Sequence, residues 1–235
     1  MENNENFEPK LEEVTPASGD QKTSKSSEHV ELANDLLGGA IEAVKLLFSS
    51  KPLEAFDYVK KSKVPLGYAL AGVYVLAMTL ASMFIGAAPI RAMNQLLGGF
   101  RAVSIPYGEL FVRGFVFGAV SLVAFIAAIH IYFVLAKKNI PIQNTINFVA
   151  TALTPVTLLG VVVFIVSFIH SGFASTLLTT SSLVGIMLLI GGLPKFLNEE
   201  FKFTWILVGC IAVAQAITVS LLNWTVILGT LGSLF

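Results

Sequence analysis

Residues 64–90 read VPLGYALAGVYVLAMTLASMFIGAAPI, a run without a single Asp, Glu, Lys or Arg. Wound as an α-helix at about 1.5 Å per residue, such a run exceeds the ~30 Å hydrocarbon thickness of a bilayer. Lys60, Lys61 and Lys63 stand just before it, as basic residues do at the edge of a membrane. The first crossing is therefore predicted over 66–88.

Working outward toward the C-terminus, residues 89–109 mix Arg91, Arg101, Pro106 and Tyr107 with a Gly98-Gly99 pair, a composition suited to an interfacial loop. A second crossing is predicted over 110–136, stopped by Lys137 and Lys138. No charged residue occurs between Asn139 and Pro194, a stretch too long for one helix. Divided near His170, Ser171 and Gly172, it predicts crossings over 146–169 and 174–193. Lys195, Glu199, Glu200 and Lys202 close that hairpin, and Trp205 begins a fifth crossing over 203–222 as an interfacial aromatic. Residues 223–235 are apolar but too few to span, and are expected to lie along the interface or the bundle. Strands of a barrel would alternate apolar and polar, which these runs do not. The predicted fold class is all-α: a polytopic membrane protein with five transmembrane helices in a bundle, over 64–235, preceded by N-terminal amphipathic helices.

Toward the N-terminus the solvent changes. Twelve of the fifteen acidic residues and eight of the fifteen basic ones precede Leu66. Residues 1–30 hold almost no large apolar side chain and are expected to be a disordered polar tail. They lack the apolar core of a secretory signal, so insertion is expected to rely on an uncleaved first membrane helix. From Glu31, Leu32, Leu36, Leu37, Ala40, Ile41, Val44 and Phe48 recur at helical steps opposite Asn34, Asp35, Glu42 and Lys45. Pro52 then fits the first turn of a short second helix carrying Leu53, Phe56 and Val59. Residues 31–63 are thus predicted to be a cytoplasmic amphipathic segment that meets the membrane surface or a partner.

The chain is 55% hydrophobic and 13% charged, with a mean hydropathy of +0.78, which excludes an ordinary soluble domain. A net charge of zero with an acidic N-terminal segment leaves no basic footprint for nucleic acid. Cys210 is the one cysteine, so neither an intramolecular disulfide nor a cysteine-built metal site is predicted, and no cofactor is. With the N-terminus in the cytoplasm, Lys51, Lys60, Lys61, Lys63, Lys137, Lys138, Lys195 and Lys202 all fall on the inner side, against Arg91, Arg101 and Arg113 outside. The positive-inside rule then predicts a cell-membrane protein with its C-terminus outside.

Ionisable and strongly polar groups inside hydrocarbon are costly, which makes each a candidate for function. Glu109 and Arg113 stand one helical turn apart and predict an ion pair at the start of the second crossing. His130, near the inner end of the same helix, is a candidate for a catalytic or proton-coupled role. Gln215 predicts an interhelical hydrogen bond, and Thr154-Pro155 predicts a kink in the third crossing. Gly114 and Gly118 form a GxxxG step that predicts close packing, within the chain or between copies. Ser175, Thr176, Thr179, Thr180, Ser181 and Ser182 make the fourth crossing unusually rich in hydroxyls. Nucleotide-binding, zinc-protease and serine-hydrolase motifs do not occur in the sequence.

The Lys51-Pro52-Leu53 entry, the five crossings and the Ala152-Leu153-Thr154-Pro155 step in the third resemble the Yip-type five-helix membrane proteins, particularly their uncharacterised bacterial relatives. The resemblance implies the fold, the orientation and self-association. The acidic, tyrosine and Gly-Pro signature that eukaryotic members carry ahead of their first helix does not occur here, so their small-GTPase and vesicle roles are not carried over. The expectation is a non-enzymatic scaffold or accessory membrane protein, its partners the lipid bilayer and either copies of itself or other membrane proteins. The alternative is a small-solute or ion permease with a path along the third and fourth crossings.

Overall fold

The computed structural model describes residues 21–62, 66–96, 103–198 and 205–231, and all the regular structure among them is helical. In chain order the helices are α1 (Gln21–Leu47), α2 (Glu54–Lys61), α3 (Leu66–Leu96), α4 (Tyr107–Leu135), α5 (Ile142–Ala152), α6 (Thr154–Val166), α7 (Ser171–Leu197) and α8 (Trp205–Leu231). Helices α3, α4, α7 and α8 are each long and apolar enough to cross a membrane, and α5 with α6 adds a fifth crossing where the bent pair is one span. The protein is an all-α integral membrane protein. The chain divides into two compact units, Met1–Asp35 and Leu36–Phe235, and the membrane helices belong to the second.

Helix α3 is the central one. Its apolar window is 61% buried, against 22% for α8 at the periphery, and it packs on α4, α5, α6, α7 and α8. Lipid tails are as apolar as leucine, so helices associate through close packing rather than through exclusion of water. Small residues permit that closeness. A methyl placed on Gly114 would stand 2.6 Å from the Thr79 carbonyl oxygen, and one on Gly118 would stand 2.9 Å from that of Val75. The GxxxG step of α4 therefore seats directly on the backbone of α3 in the same chain.

Three boundaries differ most from the sequence-based expectation. Helix α1 begins at Gln21 rather than Glu31, so residues 21–30 are helical where a disordered tail was predicted. Lacking apolar residues denies that stretch a core, but extending a helix already anchored from Leu36 onward adds a hydrogen bond for each residue ordered. Helix α3 runs through Pro89 to Leu96, where an interfacial loop was predicted. Pro89 removes the donor for the Ile85 carbonyl, and Arg91 steadies the loosened turn by donating from Nη2 to the Phe84 carbonyl at 2.7 Å. Helix α8 continues to Leu231, past the predicted end at 222, because the apolar run meets no proline. The kink expected at Thr154-Pro155 is present: α5 and α6 meet there at a 45° bend, and α5 alone, about 16 Å long, is too short to span.

The amphipathic segment is built into the bundle rather than set apart from it. In α2, Ala55, Phe56 and Val59 are completely buried. The Phe56 ring fills the space beside Gly192 of α7, where an added methyl would lie 2.6 Å from its Cζ. Phe56 also meets Phe148 of α5 at 5.2 Å between ring centroids, and Phe148 meets Phe196 of α7 at 4.8 Å. Asp57 pairs with Lys195 at 3.5 Å, and Lys60 lies over the Phe196 ring at 5.8 Å. From α1, Ala43 packs with Val59 and Leu66, and Ala40 with Leu70 and Ala150. The tail up to residue 20, Lys63, the Gly98-Gly99 pair with Arg101, the charges at 199–202 and residues 232–235 lie outside the described residues.

The ring-in-notch contact makes a double-mutant prediction. Gly192→Val is expected to cost about 1–3 kcal/mol by overpacking, and Phe56→Ala about 3–5 kcal/mol through the space it empties. Thermal unfolding in detergent should show the pair costing less than the sum, since valine occupies the vacated ring space. Additive costs would mean that ring and glycine do not share a site.

Candidate functional site

Trp205 and Trp224 sit nineteen residues apart on α8, both exposed, and about 28 Å of helix separates them, close to the thickness of the hydrocarbon core. Indoles favour the two interfaces, so this pair marks where α8 enters and leaves the bilayer. Gln215 falls midway between them. Its Nε2 donates to Ser182 Oγ of α7 at 2.7 Å, and Ser182 Oγ donates to the Thr179 carbonyl at 2.6 Å. The Gln215 Oε1 is buried with no hydrogen-bond partner among the described residues. Beside it lies a cavity of about 20 Å³, bordered by Tyr74, Phe117, Thr179, Ser182 and Thr218. That volume holds about one water molecule. The arrangement offers one amide acceptor and a few hydroxyls at the membrane midplane.

Four further hydroxyls of α7 bond to their own helix. Thr176, Thr179 and Thr180 donate to the carbonyls of Gly172, Ser175 and Thr176, and Ser181 donates to that of Leu178. The α5–α6 bend is made the same way. Thr151, Thr154 and Thr157, all buried, donate to the carbonyls of Asn147, Ala150 and Leu153. Such back-bonding to the residue four earlier bends helices, and the ring of Pro155 crowds the Thr151 carbonyl besides. Gly185 of α7 lets the elbow approach, since a methyl there would stand 2.8 Å from Val156 Cγ2 and 2.9 Å from Leu153 Cδ2.

The remaining sequence candidates are dispersed. Glu109 and Arg113 form an ion pair at the start of α4, and the Arg113 guanidinium also lies 5.9 Å from the Trp224 ring centre, tying α4 to α8. His130 is near the opposite end of α4, with Nδ1 3.2 Å from the buried Thr145 hydroxyl of α5. His170 caps α7, its Nδ1 accepting from the Phe173 amide at 3.0 Å. Gly114 and Gly118 are packing positions on α3. No two of His130, Gln215 and the Glu109–Arg113 pair share a hydrogen bond or ion pair given by the structure, and no cluster of three His, Cys, Asp or Glu side chains that could hold a metal occurs among the described residues.

Two polar devices escaped the sequence-based reading. Asn147 of α5 is buried and accepts from the Gly67 amide at 2.9 Å, capping the first turn of α3 from a neighbouring helix. Gly67 makes room for it, because a methyl there would stand 2.5 Å from the Asn147 Cα. An asparagine within a charge-free span was the available signal. Arg91 bridges helix ends: besides the Phe84 carbonyl it reaches that of Ser167, just past α6, at 3.2 Å, and packs over Phe84 and Phe168 at 5.6 and 5.3 Å. Its signal was an arginine two residues after a proline.

Compared with protein families, with curated proteins and with solved structures, the chain matches none of them.

Removing the Ser182 hydroxyl strands the Gln215 amide in hydrocarbon. Ser182→Ala should cost about 1 kcal/mol, and adding Gln215→Leu should recover most of it. Thermal unfolding of the two variants checks this, and no recovery in the double variant would separate the two side chains.

Proposed function

We propose that this is a non-enzymatic scaffold or accessory protein of the cell membrane, with the five-crossing layout of the Yip-type proteins, its N-terminus cytoplasmic and its C-terminus outside. Supporting it is how the polar side chains are used. Hydroxyls of Thr176, Thr179, Thr180 and Ser181 and those of the α5–α6 elbow bond to their own helices, and Asn147 and Arg91 close helix ends, so most of the bundle's described polar side chains serve its architecture. Its working partners are then the bilayer and other membrane proteins or copies of itself.

The orientation is supported by the placing of charge. The rings of Phe133 and Phe196 stack at 6.2 Å, bringing the C-terminal ends of α4 and α7 together. Lys60, Lys61, Lys137, Lys138 and Lys195 therefore gather at one end of the bundle, with Arg91 and Arg113 at the other. Basic residues favour the cytoplasmic side.

A permease reading is favoured by one observation, the unpartnered Gln215 carbonyl beside the midplane cavity. Vesicles containing the protein distinguish the two. The scaffold reading expects swelling rates with small neutral solutes, and ion fluxes, equal to those of protein-free vesicles. Flux abolished by Thr180→Val with Ser181→Val would establish the permease.

Orientation is tested by cysteine labelling with Cys210 replaced by serine. Gly108→Cys, exposed with open space around it, should react with an impermeant maleimide in intact cells. Lys61→Cys should react only after permeabilisation, and the reverse pattern would invert the topology.

A further inference from the structure

From Leu36 onward α1 carries two apolar faces. At about 100° per residue, Ala40, Ala43 and Leu47 lie on one face and are buried against the bundle. Leu37, Ile41, Val44 and Phe48 lie about a quarter turn further round, and Leu37, Ile41 and Phe48 are left open. This second face forms one wall of a groove of about 460 Å³ whose other walls include Leu70 and Val73 of α3 and Leu158 of α6. Thr154 and Thr157 also line it, but their hydroxyls already donate to the Ala150 and Leu153 carbonyls, so the floor is apolar in effect. Lys45 is the one charged residue lining the groove, and its side chain is 70% exposed.

We propose that this groove binds an anionic phospholipid, with an acyl chain between α1, α3 and α6 and the headgroup phosphate on the Lys45 ammonium. Depth agrees with that occupant: Leu70 and Val73 lie about 6 to 11 Å along α3 from its start, the level of the boundary between headgroups and acyl chains. Charge agrees as well. Lys45 lays its methylene stem along the groove and carries its ammonium outward to the headgroup level. Its protein partner, Glu42 at 3.6 Å, is an exposed contact between neighbouring turns that a tethered phosphate can displace. A second groove, of about 490 Å³ between α4 and α8, is lined by small apolar residues such as Ala128 and Gly209 and by no charged one. It serves as the internal control. The proposal is independent of whether the bundle is a scaffold or a permease.

The test reconstitutes the full chain in vesicles with a phosphatidylglycerol or a phosphatidylcholine carrying a diazirine on its acyl chain, and maps the photolabelled peptides. Residues 37–48 and 154–158 are expected to label about fivefold more strongly with the anionic probe, the effect of one basic residue near a charged headgroup. Lys45→Glu and Lys45→Gln, at an exposed position, should abolish that preference while leaving thermal unfolding unchanged. Val73→Trp, which fills the groove, should lower labelling by both probes there and not between α4 and α8. Equal labelling by the two probes, or a preference that survives Lys45→Gln, overturns the proposal. So does a disulfide between chains at Ile41→Cys in place of lipid labelling, which would give the groove to a second copy.

Discussion

The approach of α4 to α3 at Gly114 and Gly118 is the contact on which the rest of the bundle depends. In hydrocarbon no water is released when apolar helices meet, so association rests on how closely the two surfaces fit. At these two glycines the fit is backbone against backbone, with no room for a methyl group. Once α4 is seated there, its other face receives α8, and the remaining surface of α3 receives α5, α6 and α7. The same pairing rules out one role left open by the sequence. A GxxxG step already closed on α3 is not free to join two copies of the chain.

Each end of the bundle is closed by its own chemistry. At the lysine-rich end the closure is aromatic, with Phe56 of α2 wedged beside Gly192 and in ring contact with Phe148. At the other end it is cationic. Arg91 gathers the carbonyls of Phe84 and Ser167 and lies over two phenylalanine rings, while Arg113 joins Glu109 to Trp224. Helix termini leave carbonyls and amides without partners, and in a membrane each must be met inside the protein. Arg91, Asn147 and His170 meet them here.

The elbow between α5 and α6 and the polar pair between α7 and α8 follow from the same requirement. Thr151, Thr154 and Thr157 satisfy carbonyls around a proline and hold the bend, into which α7 fits only because residue 185 is glycine. Gln215 and Ser121 depart from it among the described residues: the Gln215 amide has its nitrogen paired and its oxygen not, and the buried Ser121 hydroxyl of α4 has no partner. At these two side chains polarity exceeds what architecture needs.

Much was legible in the residues because the bilayer imposes a length and forbids charge: charge-free runs bounded by Lys63, Lys137 and Lys195 locate the crossings, and Thr154-Pro155 marks the elbow. Helix ends were less legible, since Pro89 and Asn223 look like boundaries while a neighbouring arginine or an uninterrupted apolar run carries each helix past them. The pairing of Glu109 with Arg113 could be read because one helical turn brings them together. The partners of Gln215, Asn147 and Arg91 could not, because they lie 33, 80 and 76 positions away and are brought near only when the helices pack. The amino-acid sequence by itself determined an all-helical membrane protein and the approximate place of each crossing, through local rules of length, charge and periodicity. Tertiary structure alone decided which face of each helix is covered, because facing is set by contacts between distant residues. For that reason α2 is a wedge inside the bundle, while α1 keeps one apolar face open beside Lys45.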